Sequence, residues 1–246
     1  MIDRKRGYRA LVMDIGSFEN SYLAADITAE EVAREAGSTI EQVRQLKDGG
    51  PAGRIMTAGA IKIAKRLYEA GKFEGVLSVG GGTGSSTAAA VMRELPLGIP
   101  KFMLSTQKMV QAGIRGYVGT KDIAVMPSVV DIAGLNRLTS GALARAAGAI
   151  MGMVGAVAVE PSDKPLVFMT MTGLSTGCGH RVQSRLEELG FEVVVFHTIG
   201  VGGETFEELV SSYPVKGVIE LGLNEIGNEL FGGLASAGPR RLEGAG

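Results

Sequence analysis

The chain has 246 residues, enough for one large domain or two smaller ones. Its 25 lysines and arginines nearly balance its 26 aspartates and glutamates, so it lacks the basic surface expected of a nucleic-acid or membrane-surface partner. Hydrophobic residues make up 45% and charged residues 21%, a balance typical of folded globular proteins rather than disordered or fibrous ones.

The first 160 residues alternate short apolar runs with longer helical patterns, which is typical of βαβ units around a parallel sheet. A strand is predicted over residues 9–15. Two short helices follow over 29–36 and 39–47, opened by the capping residues Thr28 and Ser38, with Glu31 and Glu41 three positions later. The other predicted elements of this half are helices over 54–70, 85–94 and 140–157 and strands over 75–79, 101–104 and 122–126.

A segment with two prolines, residues 160–165, predicts a boundary between two domains, 1–160 and 161–246. The β/α alternation restarts after it. Strands are predicted over 166–170, 192–197 and 217–221, and helices over 179–189 and 205–211. The fold class predicted from these patterns is α/β with parallel sheets. Because the chain opens almost inside a strand and closes shortly after a helix, we expect it to be truncated at both ends.

Glycine is the compositional outlier, with 37 residues, about twice the usual share. Several glycines and hydroxyl residues follow the strand over 75–79, directly before a helix. Backbone N–H groups in such a loop, together with the start of the helix, suit a phosphate. The loop has neither the lysine of a P-loop nor the last glycine of the dinucleotide fingerprint, and a plain tight turn is the alternative. The predicted phosphate-binding residues are Gly80, Gly81, Gly82, Thr83, Gly84, Ser85 and Ser86.

Polar residues near the next predicted strand ends form a second set of candidates. Their side chains are expected to reach the same crevice, where they could hold ribose hydroxyls or a magnesium-bound phosphate. Capping and turn formation is the equally plain alternative for the aspartates and the asparagine. This set consists of Ser105, Thr106, Gly119, Thr120, Asp122, Asp131 and Asn136.

The second half repeats the design of strand, Gly/Ser/Thr loop and helix, at residues 171–180 and 197–203. A second small-molecule site is therefore expected there. His197 could act as an acid, a base or a donor, or be a structural residue, whereas nothing marks a base for Cys178. The two helices over 29–47 have the spacing of a DNA-reading helix-turn-helix, but Glu41 on the reading helix would repel phosphates.

Several of these motifs together resemble a known family. They are the runs over 79–86, 92–101, 117–120, 127–136, 196–203 and 236–242. This set closely resembles the ATP-binding family of the tomato mosaic virus resistance protein and its microbial relatives. The resemblance implies two Rossmann-like domains, of which 1–160 binds ATP and 161–246 begins the second, and a homodimer. It also implies longer members, consistent with truncation at both ends. The run over 80–85 alone looks like the phosphate loop of the tubulin/FtsZ family.

We therefore expect an ATP-binding protein that holds the nucleotide phosphates in the loop over 80–86, with Mg²⁺ as a companion ion. The alternative is a non-enzymatic module that senses a nucleotide or binds a protein. One cysteine and two histidines cannot build a disulfide framework or a Cys/His zinc site. Together with an N-terminus unlike a secretory signal and no long apolar run, they favour the cytoplasm, with no nucleic-acid or membrane partner.

Overall fold

The structure is a computed structural model that describes residues 7–18, 24–106, 113–156 and 162–245. The chain divides into two compact units, Met1–Val157 and Ala158–Gly246. Each unit contains a three-stranded parallel sheet flanked by helices, so the predicted α/β, Rossmann-like fold class is confirmed. The predicted domain boundary between residues 160 and 161 lies outside the described residues. Within those residues, no helix is both long and apolar enough to cross a membrane.

The first unit places three helices ahead of its sheet. In the described part of this unit the helices are α1 (Ala29–Glu35), α2 (Ile40–Gln45), α3 (Gly49–Glu69), α4 (Gly82–Arg93), α5 (Arg115–Val118) and α6 (Arg137–Val154), and the strands are β1 (Val76–Gly80), β2 (Lys101–Ser105) and β3 (Ile123–Pro127). The strand order is β1-β2-β3. The carboxyl ends are in register, since Gly80 pairs with Ser105 and Ser105 with Pro127.

Helices cover both faces of this sheet, and alternation along β2 divides the core between them. Met103 packs with Ala88 and Met92 of α4 on one face. On the opposite face, Phe102 and Leu104 pack with a row of small and apolar residues of α6. β2 is buried along its whole length, and between Lys101 and Ser105 its residues are all apolar, as expected of a central parallel strand.

Two predictions near the N-terminus are wrong. The strand over 9–15 does not form; Met13 makes a single bridge to Ile27 instead. The second short helix is capped by Thr39 and Gln42, one residue later than the predicted Ser38 and Glu41. This position lets Ile40 and Val43, both buried, face the neighbouring helices. Thr28 and Glu31 form the capping box of α1 as predicted.

The second unit orders its strands differently, with its first strand in the centre of the sheet. Its described elements are β4 (Leu166–Met171), a 3₁₀ turn (Gly173–Ser175), α7 (Thr176–Glu188), β5 (Glu192–His197), α8 (Val201–Val210), β6 (Val215–Glu220) and α9 (Asn224–Phe231). The order is β5-β4-β6, all parallel. Its core is aromatic, because the rings of Phe168, Phe196 and Phe206 stack edge to face or tilted against one another.

Candidate anion-binding groove in the first unit

The turn between β1 and α4 is tighter than predicted, because α4 begins at Gly82 rather than near residue 85. Gly80 ends the strand, and its carbonyl accepts the N–H of Thr106 at 3.2 Å. A Cβ on Gly80 would lie 3.4 Å from Gly84 Cα, so a side chain there would crowd the start of the helix. The predicted glycine loop is therefore largely the first turn of α4.

The backbone donors in the first turn of α4 have no hydrogen-bond acceptor among the described residues. Gly81 is the N-cap residue, and among the described residues no side chain caps this helix. The N–H groups of Gly82, Thr83 and Gly84 have no carbonyl one turn earlier to bond, as at any helix start. They point out of the N-terminus, where the helix dipole also favours negative charge.

The serines of the predicted loop have internal roles. Ser85 is fully buried, and its Oγ lies 2.6 Å from Ser105 Oγ and 3.2 Å from the carbonyl oxygen of Gly80. This pair ties the start of α4 to the ends of β1 and β2. Ser86 Oγ donates to the carbonyl of Gly82 at 2.9 Å. The loop therefore presents its backbone, together with Thr83 and the exposed Ser86, to solvent.

Helix α3 lies parallel to α4, with both N-termini at the same edge. Thr57 Oγ1 donates to Thr87 Oγ1 at 3.1 Å, and further along Lys65 Nζ pairs with Glu94 at 3.2 Å. At the start of the helices, a Cβ on Gly53 would lie 3.7 Å from Thr83 Cγ2. Parallel neighbouring helices place two partial positive charges side by side, and an anion at this edge would stabilise both.

A groove of about 540 Å³ follows the seam between α3 and α4. Its polar end is lined by Gly49, Gly50, Arg54, Gly82, Thr83 and Ser86. Arg54 is exposed and makes no ion pair or hydrogen bond with any described residue. Its Nη1 would lie 3.8 Å from a Cβ on Gly50, so the guanidinium stands beside the start of α3. Asp48 caps that helix by accepting the N–H of Gly50 at 2.9 Å.

Three predicted site residues lie at the opposite, amino end of the sheet. Asp122 precedes β3, about 16 Å along the strand direction from the glycine turn. Gly119 and Thr120 come just before it, and a Cβ on Gly119 would lie 3.1 Å from Arg93 Cδ at the end of α4. The structure therefore does not bring these three residues to the crevice. The expectation failed because Asp122 precedes its strand instead of following it.

Asp122 instead holds a buried cation. Lys101 is fully buried, and its Nζ donates to Asp122 at 2.7 Å and to the carbonyls of Pro96 and Ile99. Partial burial acts to raise the pKa of Asp122, but the hydrogen bonds from Lys101 and the Gly98 N–H outweigh it and lower the pKa below its usual value. This pair therefore anchors β2 to β3.

Asp131 and Asn136 follow β3 at the carboxyl edge but do not line the groove. Asn136 caps α6 by accepting the N–H groups of Leu138 and Thr139. Asp131 is exposed and accepts the N–H of Ile132 at 2.8 Å. Both adopt the capping and turn roles that the sequence left open, and Asp131 keeps one carboxylate oxygen without a hydrogen-bond donor among the described residues.

Of the groove residues, sequence reasoning predicted Gly82, Thr83 and Ser86 and missed the others, among them Gly53, Arg54 and Tyr117. It started the helix at residue 54, whereas α3 begins at Gly49. The missed signal is local, since an N-cap aspartate, Asp48, is followed by a proline, Pro51, in the first helical turn. No comparable local signal marks Tyr117, which enters the groove from a different element.

In the second unit, the helix start at the carboxyl edge of the sheet is occupied by a carboxylate of the same unit. At the turn between β5 and α8, the N–H groups of Gly200 and Gly203 donate to Glu225 Oε1 at 2.6 and 3.0 Å. Glu225 is fully buried, and its other oxygen accepts Nε of Arg241 at 2.8 Å. Burial acts to lower the pKa of Arg241, but the hydrogen bonds that its guanidinium donates to Glu220 and Glu225 outweigh burial and raise the pKa above its usual value. The Glu225 carboxylate is therefore the anion at the start of α8.

The remaining candidates of the second unit are dispersed. His197, at the end of β5, and Cys178, in the first turn of α7, are both exposed. Thr198 is buried and exchanges hydrogen bonds with Asn224. In the part of the chain that the structure describes, no three His, Cys, Asp or Glu residues come together as a metal-binding group. A small-molecule site in this unit stays a prediction.

The fold and the groove define a class of protein with two parallel α/β units, the first of which carries a candidate anion site. The chain belongs to the family described as "Uncharacterised protein family (UPF0261)". Its N-terminal domain model matches residues 2–159, and its C-terminal domain model matches residues 164–246. The predicted family is thereby confirmed through the relatives that share it.

Those relatives include microbial and plant proteins. A UPF0261 protein of Clostridium tetani is 42% identical over 245 residues, 99% of this chain and 60% of its own length. A UPF0261 protein of Rhizobium meliloti is 36% identical over 94% of this chain and 56% of its own. The ToMV resistance protein Tm-1(GCR237) of Solanum lycopersicum is 35% identical over 175 residues, 69% of this chain and 23% of its own. The chain thus spans about 60% of the length of these microbial relatives.

Proposed function

We propose that the first unit binds ATP, with Mg²⁺, through its phosphates at the polar end of the groove. The observation that carries this proposal is the pair of parallel helices whose glycine-rich starts meet there, beside Arg54. The uncapped N–H groups of α4 would donate to phosphate oxygens. Arg54 would add a charge-assisted contact, which a guanidinium can make with two oxygens of one phosphate. Asp131, at the same sheet edge, is the carboxylate that we propose for the metal ion.

The second unit supports the choice of an anion. There, the turn between β5 and α8 uses its glycine N–H groups to hold the Glu225 carboxylate, and an arginine neutralises it. The turn between β1 and α4 has the same design, but within the described residues no carboxylate fills it. The family resemblance noted from the sequence favours ATP as the anion.

Thermal unfolding tests this proposal directly. The melting temperature would be measured with ATP, ADP, GTP and NAD, each with and without Mg²⁺. A ligand that binds only the native state raises stability by about 2.7 kcal/mol at a hundred times its dissociation constant. We expect stabilisation by ATP in the parent chain. Gly82→Asp places an acid where the first turn tolerates it but where it repels phosphate, so this variant should lose the ATP shift and keep its own stability.

Arg54→Gln should weaken the ATP shift, and Arg145→Gln is its matched control. Arg145 is also exposed and without a described ion pair, but it lies on α6, across the sheet from α4. The proposal fails if no nucleotide stabilises the parent chain, or if both arginine variants behave alike.

The nucleotide would act as a signal or as a substrate, and phosphate release distinguishes the two. We propose sensing, because the carboxylate nearest the helix starts, Asp48, already serves as the cap of α3. Binding without phosphate release would support this. Magnesium-dependent release that is lost in Asp131→Ala would instead indicate an ATPase. The homodimer implied by the resemblance stays a prediction, which light scattering on the purified chain would test.

A further inference from the structure

The groove between α3 and α4 is polar at one end and apolar at the other. Its far end is lined by Ala58 and Ile61 of α3 and by Tyr117 of α5. From Gly53 to Ile61, α3 rises about 12 Å, so the two ends are well separated. A volume of about 540 Å³ is within the usual range for small-molecule pockets. A ligand with an anionic head and an apolar tail therefore matches the groove.

The backbone of Tyr117 is fixed by hydrogen bonds, whereas its side-chain hydroxyl has no partner among the described residues. Arg93 Nη1 donates to the carbonyls of Gly116 and Tyr117 at 3.1 and 2.7 Å, which fixes the backbone of α5 against the end of α4. The side chain is half-buried and packs on the core cluster beneath α4. Its hydroxyl makes no hydrogen bond with any described residue. A tyrosine that lines a groove usually pairs its hydroxyl, once that end is covered, with a partner.

We propose that this apolar end is a nucleobase subsite, in which the base lies against Tyr117 and over Ala58 and Ile61. The proposal rests on the proposed function, because it assigns the other half of the same ligand. Aromatic side chains bind bases through their π-faces, and this contact tolerates any base. Selection of one base over another then falls to the Tyr117 hydroxyl, which can donate to or accept from the base edge.

The test separates the two halves of the ligand. Calorimetric titration would compare ATP, GTP and inorganic triphosphate on the parent chain, Tyr117→Ala, Tyr117→Phe and the control Tyr68→Ala. Tyr68 is an exposed tyrosine of α3 that contacts Phe73 and lies outside the groove lining. Tyr117→Ala should weaken ATP roughly 5- to 100-fold and leave triphosphate within about twofold. Tyr117→Phe keeps the ring but loses the hydroxyl, so it should weaken ATP less than Tyr117→Ala does and reduce the preference for ATP over GTP.

Other outcomes are equally clear. If Tyr117→Ala leaves the ATP affinity unchanged, or weakens ATP and triphosphate equally, the subsite is overturned while phosphate binding stands. If the parent chain binds neither ligand, the proposed function fails and the subsite fails with it. Tyr117→Leu, which keeps an apolar side chain, replaces the alanine variant if that variant does not fold.

Discussion

The two units build the same turn and use it in opposite ways. In the second unit, the turn between β5 and α8 donates its N–H groups to Glu225, a residue of the same unit. In the first unit, the corresponding turn between β1 and α4 keeps its N–H groups uncapped among the described residues and opens into a groove. One helix start is neutralised by a carboxylate of its own unit, and the other has no such carboxylate among the described residues.

Residues distant in the sequence determine whether a turn holds an internal anion. Both turns are rich in glycine, and neither local sequence says whether an anion comes from inside or outside. In the second unit the anion arrives from Glu225, at the start of α9, and its counter-ion Arg241 arrives from the C-terminal segment. The start of α8 thus differs from the start of α4 by the two long-range contacts that Glu225 and Arg241 make.

The largest expected effect comes from removing the counter-ion of the closed turn. Arg241 is nearly buried and pairs with three carboxylates, those of Glu207, Glu220 and Glu225, at 2.7 to 2.8 Å. Arg241→Met would leave these carboxylates crowded together without a cation. We expect a loss of about 3–5 kcal/mol in unfolding free energy, the usual cost of breaking a buried ion pair. Urea unfolding would give the loss, and hydrogen exchange would place it in the second unit.

Arg240→Met is the matched control, because the neighbouring Arg240 is exposed and makes no described ion pair. It should change the unfolding free energy by less than about 0.5 kcal/mol. Equal losses in the two variants would mean that the second unit does not depend on its internal anion.

The next effect compares the third helical residue of each turn, Gly203 and Gly84. A Cβ on Gly203 would collide with the carboxylate of the buried Glu225, whereas a Cβ on Gly84 would meet nothing within 4 Å. Gly203→Ala should therefore cost about 1–3 kcal/mol through overpacking. Gly84→Ala should instead stabilise the chain by up to about 1 kcal/mol, because alanine is the better helix former. Urea unfolding of both variants measures the contrast.

The two glycine variants also bear on the ligand. Gly84→Ala should weaken ATP stabilisation because a methyl group shields the backbone donors, whereas Gly203→Ala should leave the ATP shift intact. If both alanines destabilise the chain alike, the start of α4 is as closely packed as that of α8, and the comparison of open and closed turns is wrong.

The strands were the most predictable part of the fold. The prediction over 192–197 matches β5 at both ends, and the strands over 75–79, 101–104 and 122–126 are each within one residue of β1, β2 and β3. Strands buried on both faces read as continuous apolar runs, which are easy to find. The failed strand over 9–15 has a similar run but no partner strand among the described residues beyond the Met13–Ile27 bridge.

Helix starts and the groove were harder to predict. Helices α3, α4 and α8 all begin earlier than predicted, because glycine, serine and threonine in their first turns favour loops by propensity while tertiary packing makes them helical. Arg54 and Tyr117 were missed because they reach the groove from elements about 30 residues before and after the glycine turn. Asp122 was misplaced although it begins the predicted strand over 122–126, because residues at either end of a strand were grouped into one site.

The smallest effect concerns the anchor at the amino end of the first sheet. The pKa of Asp122 is lowered in the folded chain from an ordinary value of 3.8. The contribution of the ionised carboxylate to the unfolding free energy is therefore complete above that value and is lost as the pH falls through the lower, folded pKa.

Because the Asp122 side chain is 43% exposed, solvent screening limits this contribution to about 1 kcal/mol. Asp122→Asn should cost that amount at pH 7, and the difference from the parent chain should shrink as the pH falls below 3.8 and the carboxyl becomes protonated. Urea unfolding at pH 7, 5 and 3 measures it, with Asp163→Asn, an exposed aspartate without a described partner, as the control. A cost that persists undiminished at pH 3 would mean that the carboxylate charge is not what anchors Lys101, and that the amide fails for steric reasons instead.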